Sequence, residues 1–192
     1  MKVFLALATL VLVAPVAFAA PLLNQVQNGT LESWSSPWSP DAWTVEIGNV
    51  TKSTTAAEGN FSAQLRAKPN ALGGHYSILA QTIPQSGTDL PIVPGAFYDL
   101  SFDAMGIYSG KGVGRANVTW TGPNGVLRID VIDIPETTTF ASHTAHLQAP
   151  IDALTANAAT SATLRFRVDG QSSDQGVNLW VDNVKFGLGS PV

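Results

Sequence analysis

An all-β fold, a two-sheet β-sandwich closed as a jelly roll, is what this 192-residue sequence predicts. Three observations carry the prediction. Almost no stretch repeats its apolar residues with the period of a helix. Short segments that alternate apolar and polar residues recur about every ten to fifteen residues. Gly, Pro, Asn and Asp separate those segments, as turn residues do. About nine or ten half-buried strands, each with one apolar face, must cover one another in two layers. A jelly roll is the common closure for a domain of this size.

Taken in chain order, the first strand is "WTVEI", which opens with Trp43 on the core side. "FSAQLRA" sets Phe61, Ala63, Leu65 and Ala67 against Ser62, Gln64 and Arg66. "SILAQTI" follows with a noisier pattern, then "FYDLSFDA", where Tyr98, Leu100, Phe102 and Ala104 share one side. In "GRANVTW", Trp120 has the parity of Val118 and Ala116 and is expected in the core. "PNG" at 123–125 is a hairpin turn leading into "VLRIDVI", and "FASHTAHLQ" comes next. "PIDALTANAAT" is read as able to hold one helical turn. "ATLRFRV" is the clearest strand: Ala162, Leu164, Phe166 and Val168 point inward, and Thr163, Arg165 and Arg167 outward.

The last strand, "VNLWVDNVKF", changes parity. Val177, Leu179 and Val181 point one way, whereas Val184 and Phe186 need the other. The shift falls at Asp182-Asn183 and predicts a β-bulge, a device that re-aims a side chain, here the Asp182 carboxylate.

The N-terminus predicts the compartment. After Met1 and Lys2 runs "VFLALATLVLVAPVAFA", a short apolar stretch ending in Ala17-Phe18-Ala19. That is the pattern of a secretory signal peptide over residues 1–19, leaving one domain over 20–192. A membrane anchor needs about twenty unbroken apolar residues, and Pro15 interrupts this run. No other segment is long and apolar enough to span a bilayer. The expected location is outside the cytoplasm: secreted, periplasmic or in the cell envelope. There is no cysteine, so the domain must rely on its core, and such domains often add a bound metal.

Charged residues make up 12% of the chain and the formal net charge is −4. Without a basic stripe, nucleic acid is excluded as the expected partner. A lightly charged surface rich in Thr, Ser, Asn and Gln suits a polysaccharide or cell-surface glycan, and a monomer is the expected state.

Two separated motifs add a resemblance. "NGTLE" (28–32) near the start and "WVDNVKF" (180–186) near the end resemble those of carbohydrate-binding modules of families four, nine and twenty-two. Between them "EGNFSAQLRA", "ILAQTIPQ" and "VPGAFYDLSFDA" resemble further motifs of those families in the same order. The resemblance implies a galactose-binding-like jelly roll, often with a structural calcium ion. It implies that Glu32 and Asp182 give side-chain oxygens to that ion, with backbone carbonyls near Glu58 to Asn60 completing the shell; calcium takes six to eight hard oxygens. Leu31 stands where the families usually have Phe, and Asn183 where a second Asp is commoner.

Sugar-binding modules stack sugar rings on aromatic faces and hold hydroxyls with polar side chains. Trp34 and Trp38 lie in an irregular Ser/Pro stretch, either as a lid on the sandwich or as a ligand platform. Trp180 sits on the polar side of its strand, and Tyr76 and Tyr108 lie at Gly-rich loops. Arg165 and Arg167, with Arg66, Arg115 and Arg128 on other polar faces, form either a groove lining or a solvated face balanced by Asp130 and Asp169. Catalysis finds little support. His143 and His146, three apart on a strand, face opposite ways. There is no GxSxG or HExxH motif. The expected function is a non-catalytic polysaccharide-binding domain. The alternatives are a structural or adhesive envelope protein that keeps the fold without a sugar site, and an accessory of a glycan hydrolase or lyase.

Overall fold

The computed structural model describes residues 24–68, 75–84, 90–152, 157–170 and 176–190. The expected signal peptide lies outside them. Among the described residues fourteen strands form: β1 (Trp34–Ser36), β2 (Ser39–Pro40), β3 (Thr44–Ile47), β4 (Asn49–Ser53), β5 (Ser62–Arg66), β6 (Tyr76–Ile83) and β7 (Phe97–Ile107). They continue with β8 (Val113–Gly122), β9 (Gly125–Ile134), β10 (Ala141–Gln148), β11 (Ile151–Asp152), β12 (Asn157–Ala158), β13 (Ser161–Asp169) and β14 (Asn178–Leu188).

Ten of these strands build the predicted sandwich. One sheet has the order β10-β7-β14-β5-β4 and the other β3-β6-β13-β8-β9, all antiparallel. The consecutive strands β8 and β9 form the hairpin expected at "PNG", with Gly122 opposite Gly125. The helical turn read into "PIDALTANAAT" is not what flanks its centre. Ile151 pairs with Ala158 and Asp152 with Asn157 in a short antiparallel ribbon, while 153–156 lie outside the described residues. Ile151 at the start of this segment is β-branched, and such residues favour extended backbone.

Most of the core sits where the predicted alternation places it; the departure is at β5, where Phe61, just before the strand, lies partly exposed under Lys52 while Ser62 and Gln64 are buried. Strand β13 alternates strictly, with Ala162, Leu164, Phe166 and Val168 buried. Two aromatic clusters stitch the sheets together. Phe166 of β13 packs edge-on against Phe102 of β7, ring centres 5.1 Å apart, and lies 6.0 Å from Trp43. Trp120 of β8 meets Tyr98 of β7 at 5.7 Å and Phe186 of β14 at 5.9 Å. Buried Trp and Tyr still need partners for their polar tips. Trp120 Nε1 donates to Asp130 Oδ2 at 2.6 Å, and the Tyr98 hydroxyl accepts the Val93 amide at 2.8 Å.

The parity change in β14 is a bulge, with the register against β7 shifting between Asp182 and Lys185. Asn183 there has φ 50°, a left-handed conformation that Asn tolerates better than most residues. The bulge lets Val181 on one side, and Val184 and Phe186 on the other, all reach the core.

Truncating Phe166, which touches both neighbouring rings, is expected to cost about 3–5 kcal/mol. Urea unfolding of Phe166→Ala measures it; a loss below about 1 kcal/mol would show that the two sheets do not depend on this contact.

Candidate functional site

The opening and closing motifs meet. Gly29 lies so close to β14 that a Cβ there would drive into the carbonyl oxygen of Val184. The Val184 amide donates to the Gly29 carbonyl at 2.8 Å. Beside this contact the Asp182 carboxylate is wholly buried. Its Oδ2 accepts the amides of Ala57 (2.9 Å) and Glu58 (3.3 Å), and its Oδ1 accepts the amide of Asn183 at 2.8 Å. Glu32 Oε1 accepts the amides of Asn60 and Phe61, both at 2.9 Å. Gly59 packs onto the Glu32 carboxylate at φ 71°, where a Cβ would collide with Oε1. The two carboxylates thus grip the 54–61 turn between β4 and β5 from beneath.

Their protonation differs for physical reasons. Desolvation raises the Asp182 carboxyl above the ordinary aspartate value; the three amides oppose it, and the negative charge of Glu32 adds to the rise. Desolvation also pushes on Glu32, but the Phe61 and Asn60 amides, the Asn60 side chain and the Lys52 charge hold it below the usual glutamate value. The groups of Glu58 and Asn60 that meet these carboxylates are backbone N–H donors. Asp182, shut away from water, needs such donors.

Above the same hairpin lies a groove of about 500 Å³. Its floor is the outward side of two neighbouring strands, Asn49, Thr51 and Ser53 from β4 and Gln64 and Arg66 from β5. Lys52, Thr54 and Lys68 complete the walls, and Pro37 and Trp38 form the rim. The Lys52 amide donates to the Pro37 carbonyl at 2.8 Å, pinning the β1–β2 turn over the groove. The Trp38 ring is left 61% exposed. Along the floor Arg66 Nη2 donates to Gln64 Oε1 (3.0 Å), and Gln64 Nε2 to Asn178 Oδ1 (3.2 Å). A second hollow of about 250 Å³ shares Gln64, Arg66 and Lys68 and runs on past Asn178, so the two form one trough.

The other sequence candidates are dispersed. Trp34 is half-buried against the core and its Nε1 donates to the Leu31 carbonyl, so it serves as the lid. Trp180 lies in the same sheet face as the groove floor, half-buried opposite Gln64, with Nε1 donating to Ser53 Oγ at 3.2 Å. Tyr108 is folded against Gly106 and Gly114, where a Cβ on either glycine would strike its ring, and its hydroxyl is enclosed. Burial, with the Glu136 charge, pushes that phenol up. Arg165 and Arg167 occupy the outer face of the other sheet. Arg165 forks onto Glu46 at 2.8–3.0 Å and reaches Thr119; Arg167 binds Asp169 and covers Tyr76, 4.6 Å from the ring centre. Arg115 pairs with Asp133 and Arg128 with Asp130, so the five arginines line no common groove. The polar stripes of "NVTKS" and "SAQLR" are the signal that marks the floor, but only their pairing as neighbours makes it a surface.

No protein-family model matches this chain, and no curated protein does. Solved structures share its fold, among them carbohydrate-binding modules of families 16, 22 and 61. The enzymatically active domain of tailspike protein 4 from bacteriophage CBA120 aligns over 86% of this chain at 19% identity and a TM-score of 0.62. This chain spans 21% of that tailspike chain. A cyclase from a Fischerella species aligns over 88% of this chain and 96% of its own, at 17% identity and a TM-score of 0.58. A xylan-binding domain of family 22 aligns over 90% and 99%, at 19% identity and a TM-score of 0.56. What they share with this chain is the jelly-roll sandwich, a scaffold used by binding domains and enzyme chains alike.

Replacing Asp182 by Ala leaves the Ala57 and Glu58 amides without their acceptor, a loss of about 1–3 kcal/mol per unmade bond. Hydrogen exchange at those two amides is expected to accelerate while Asn60 and Phe61, held by Glu32, keep their protection. Equal loss at all four would show the turn to be held as one unit rather than by two separate carboxylates.

Proposed function

We propose that this chain is a secreted, non-catalytic domain that binds polysaccharide in the trough beside Trp38, with a structural calcium ion at Glu32 and Asp182. The observation that carries the reading is the indole of Trp38. An exposed tryptophan is held by its turn at the rim of a trough whose floor is polar. A flat ring beside hydroxyl and amide groups matches the two-sided chemistry of a sugar, apolar on its ring face and polar around its edge. An open trough continuing along the sheet suits an extended chain more than a single small molecule. The binding modules that share the fold support the same reading; one is a xylan-binding domain.

The groove lining includes no carboxylate and no histidine among the described residues. Hydrolysis of a glycosidic bond uses two carboxylates across the scissile linkage, so the lining supports binding rather than cleavage. For calcium, the chemistry of the donors fits. Asp182 is excluded from water and raised further by the charge of Glu32, so a cation there would relieve both the repulsion and the desolvation. Among the described residues no third carboxylate, histidine or cysteine joins them. Backbone and water oxygens would complete the six to eight that calcium takes.

Affinity electrophoresis against a panel of plant and bacterial polysaccharides tests the binding reading. Trp38→Ala is expected to raise Kd about tenfold or more with an unchanged melting temperature, since the ring supports no core contact. Trp34→Ala is expected to lower the melting temperature instead. Failure to bind any polysaccharide overturns the reading in favour of a structural envelope role.

Chelation tests the metal. If calcium saturates the site at about a hundredfold its Kd, removing it costs about 2.7 kcal/mol, a fall of about 5–10 °C in melting temperature for a domain this large. Glu32→Gln is expected to abolish that shift. A melting temperature indifferent to chelator in the wild-type protein would remove the metal.

A further inference from the structure

Cations are scarce in this chain, and their placement is uneven. Ten Lys and Arg face fourteen Asp and Glu, for a net of −4. On the second sheet Arg115, Arg128, Arg165 and Arg167 are each neutralised by a carboxylate of the same sheet. The trough shows the opposite arrangement. Lys52, Arg66 and Lys68 line it, and among the described residues none of them is in an ion pair and no carboxylate shares the lining. Lys52 is set apart from the other two: its ammonium lies over the Phe61 ring, 3.5 Å from the centre, and its charge acts on Glu32. Among the described residues Arg66 reaches only the neutral Gln64, and its buried Nε–H meets no acceptor. An unmet donor on a guanidinium is costly, and Arg66 and Lys68 share a lining that holds no carboxylate among the described residues. A surface built only to hold neutral hydroxyls has no use for that cost.

Resting on the polysaccharide reading above, we propose that the trough selects an anionic polysaccharide, one whose sugars carry carboxylate or sulfate groups. Trp38 takes a sugar face at the rim, and Arg66, with Lys68, receives the acid groups farther in. Guanidinium presents paired donors that match a carboxylate or sulfate. The trough runs through the shared residues Gln64, Arg66 and Lys68 to Asn178, so successive acidic units would meet the cations in sequence. The formal net charge of −4 disfavours polyanions where no such cations are gathered.

Matched pairs of probes test this: polygalacturonate against its fully methyl-esterified form, and dextran sulfate against dextran, in 0.15 M salt by affinity electrophoresis. The acidic member of at least one pair is expected to bind about tenfold or more tightly than its neutral partner, and less so as salt rises. Preference confined to polygalacturonate assigns carboxylates; preference confined to dextran sulfate assigns sulfates. Arg66→Gln is expected to bring the acidic probe close to the affinity of the neutral one. Lys68→Glu, at an exposed position where folding is not at stake, is expected to weaken only the acidic probe. Neutral probes bound as tightly as acidic ones, or an acidic preference unmoved by both variants, would overturn the proposal while leaving the polysaccharide reading in place. Binding of no probe at all would remove both.

Discussion

A carboxylate with no water around it has to be met by donors, and that requirement at Asp182 organises the working end of this protein. Strand β14 runs through the middle of its sheet, between β7 and β5. The bulge at Asp182-Asn183 turns the carboxylate under the 54–61 turn, where it takes the amides of Ala57 and Glu58. Glu32, delivered by the opening segment, takes the amides of Asn60 and Phe61. The β4–β5 hairpin is therefore anchored at its turn by both ends of the chain, and the trough is the outer face of that hairpin. Fold and candidate site share one support, so a change at the anchor reaches the groove without touching it.

The three tryptophans between 34 and 43 show how one stretch of sequence divides among roles. Trp43 is buried against Phe166, and its Nε1 donates to the Asn28 carbonyl at 3.1 Å. Trp34 closes the end of the core. Trp38 falls at the β1–β2 turn, where the chain reverses and a side chain has no layer above it to enter, so it remains in water. Holding a large ring exposed forgoes a burial worth several kcal/mol, and the turn that imposes this exposure is fastened to β4 through Pro37.

The same contrast governs charge. Arginines that alternate on β13 look equivalent in sequence to Arg66 on β5. Tertiary neighbours separate them: Glu46, arriving on β3, and Asp169 neutralise the first group, whereas β4 brings Arg66 only Asn49 opposite. Counting cations could not distinguish a neutralised sheet face from a trough where Arg66 has no ion-pair partner among the described residues.

Period-two alternation determined the fold class, because a half-buried strand must place its apolar side chains on one face; nine of the ten sandwich strands follow from it, whereas β4, with only Val50 buried, carries no such pattern. The parity break at Asp182-Asn183 likewise determined the bulge, and the position of Trp120 in its strand determined its burial. Strand neighbours were beyond the sequence. In an antiparallel sandwich β4 lies beside β5 while β14 lies between β5 and β7, and the last of these pairings joins residues more than seventy positions apart. Only that assembly decided that Asn49, Thr51, Gln64 and Arg66 make one floor, that Tyr108 is enclosed by two glycines, and that Arg165 is already held by Glu46. Local pattern says which way a side chain points; what it meets there is set by strands that come from elsewhere in the chain.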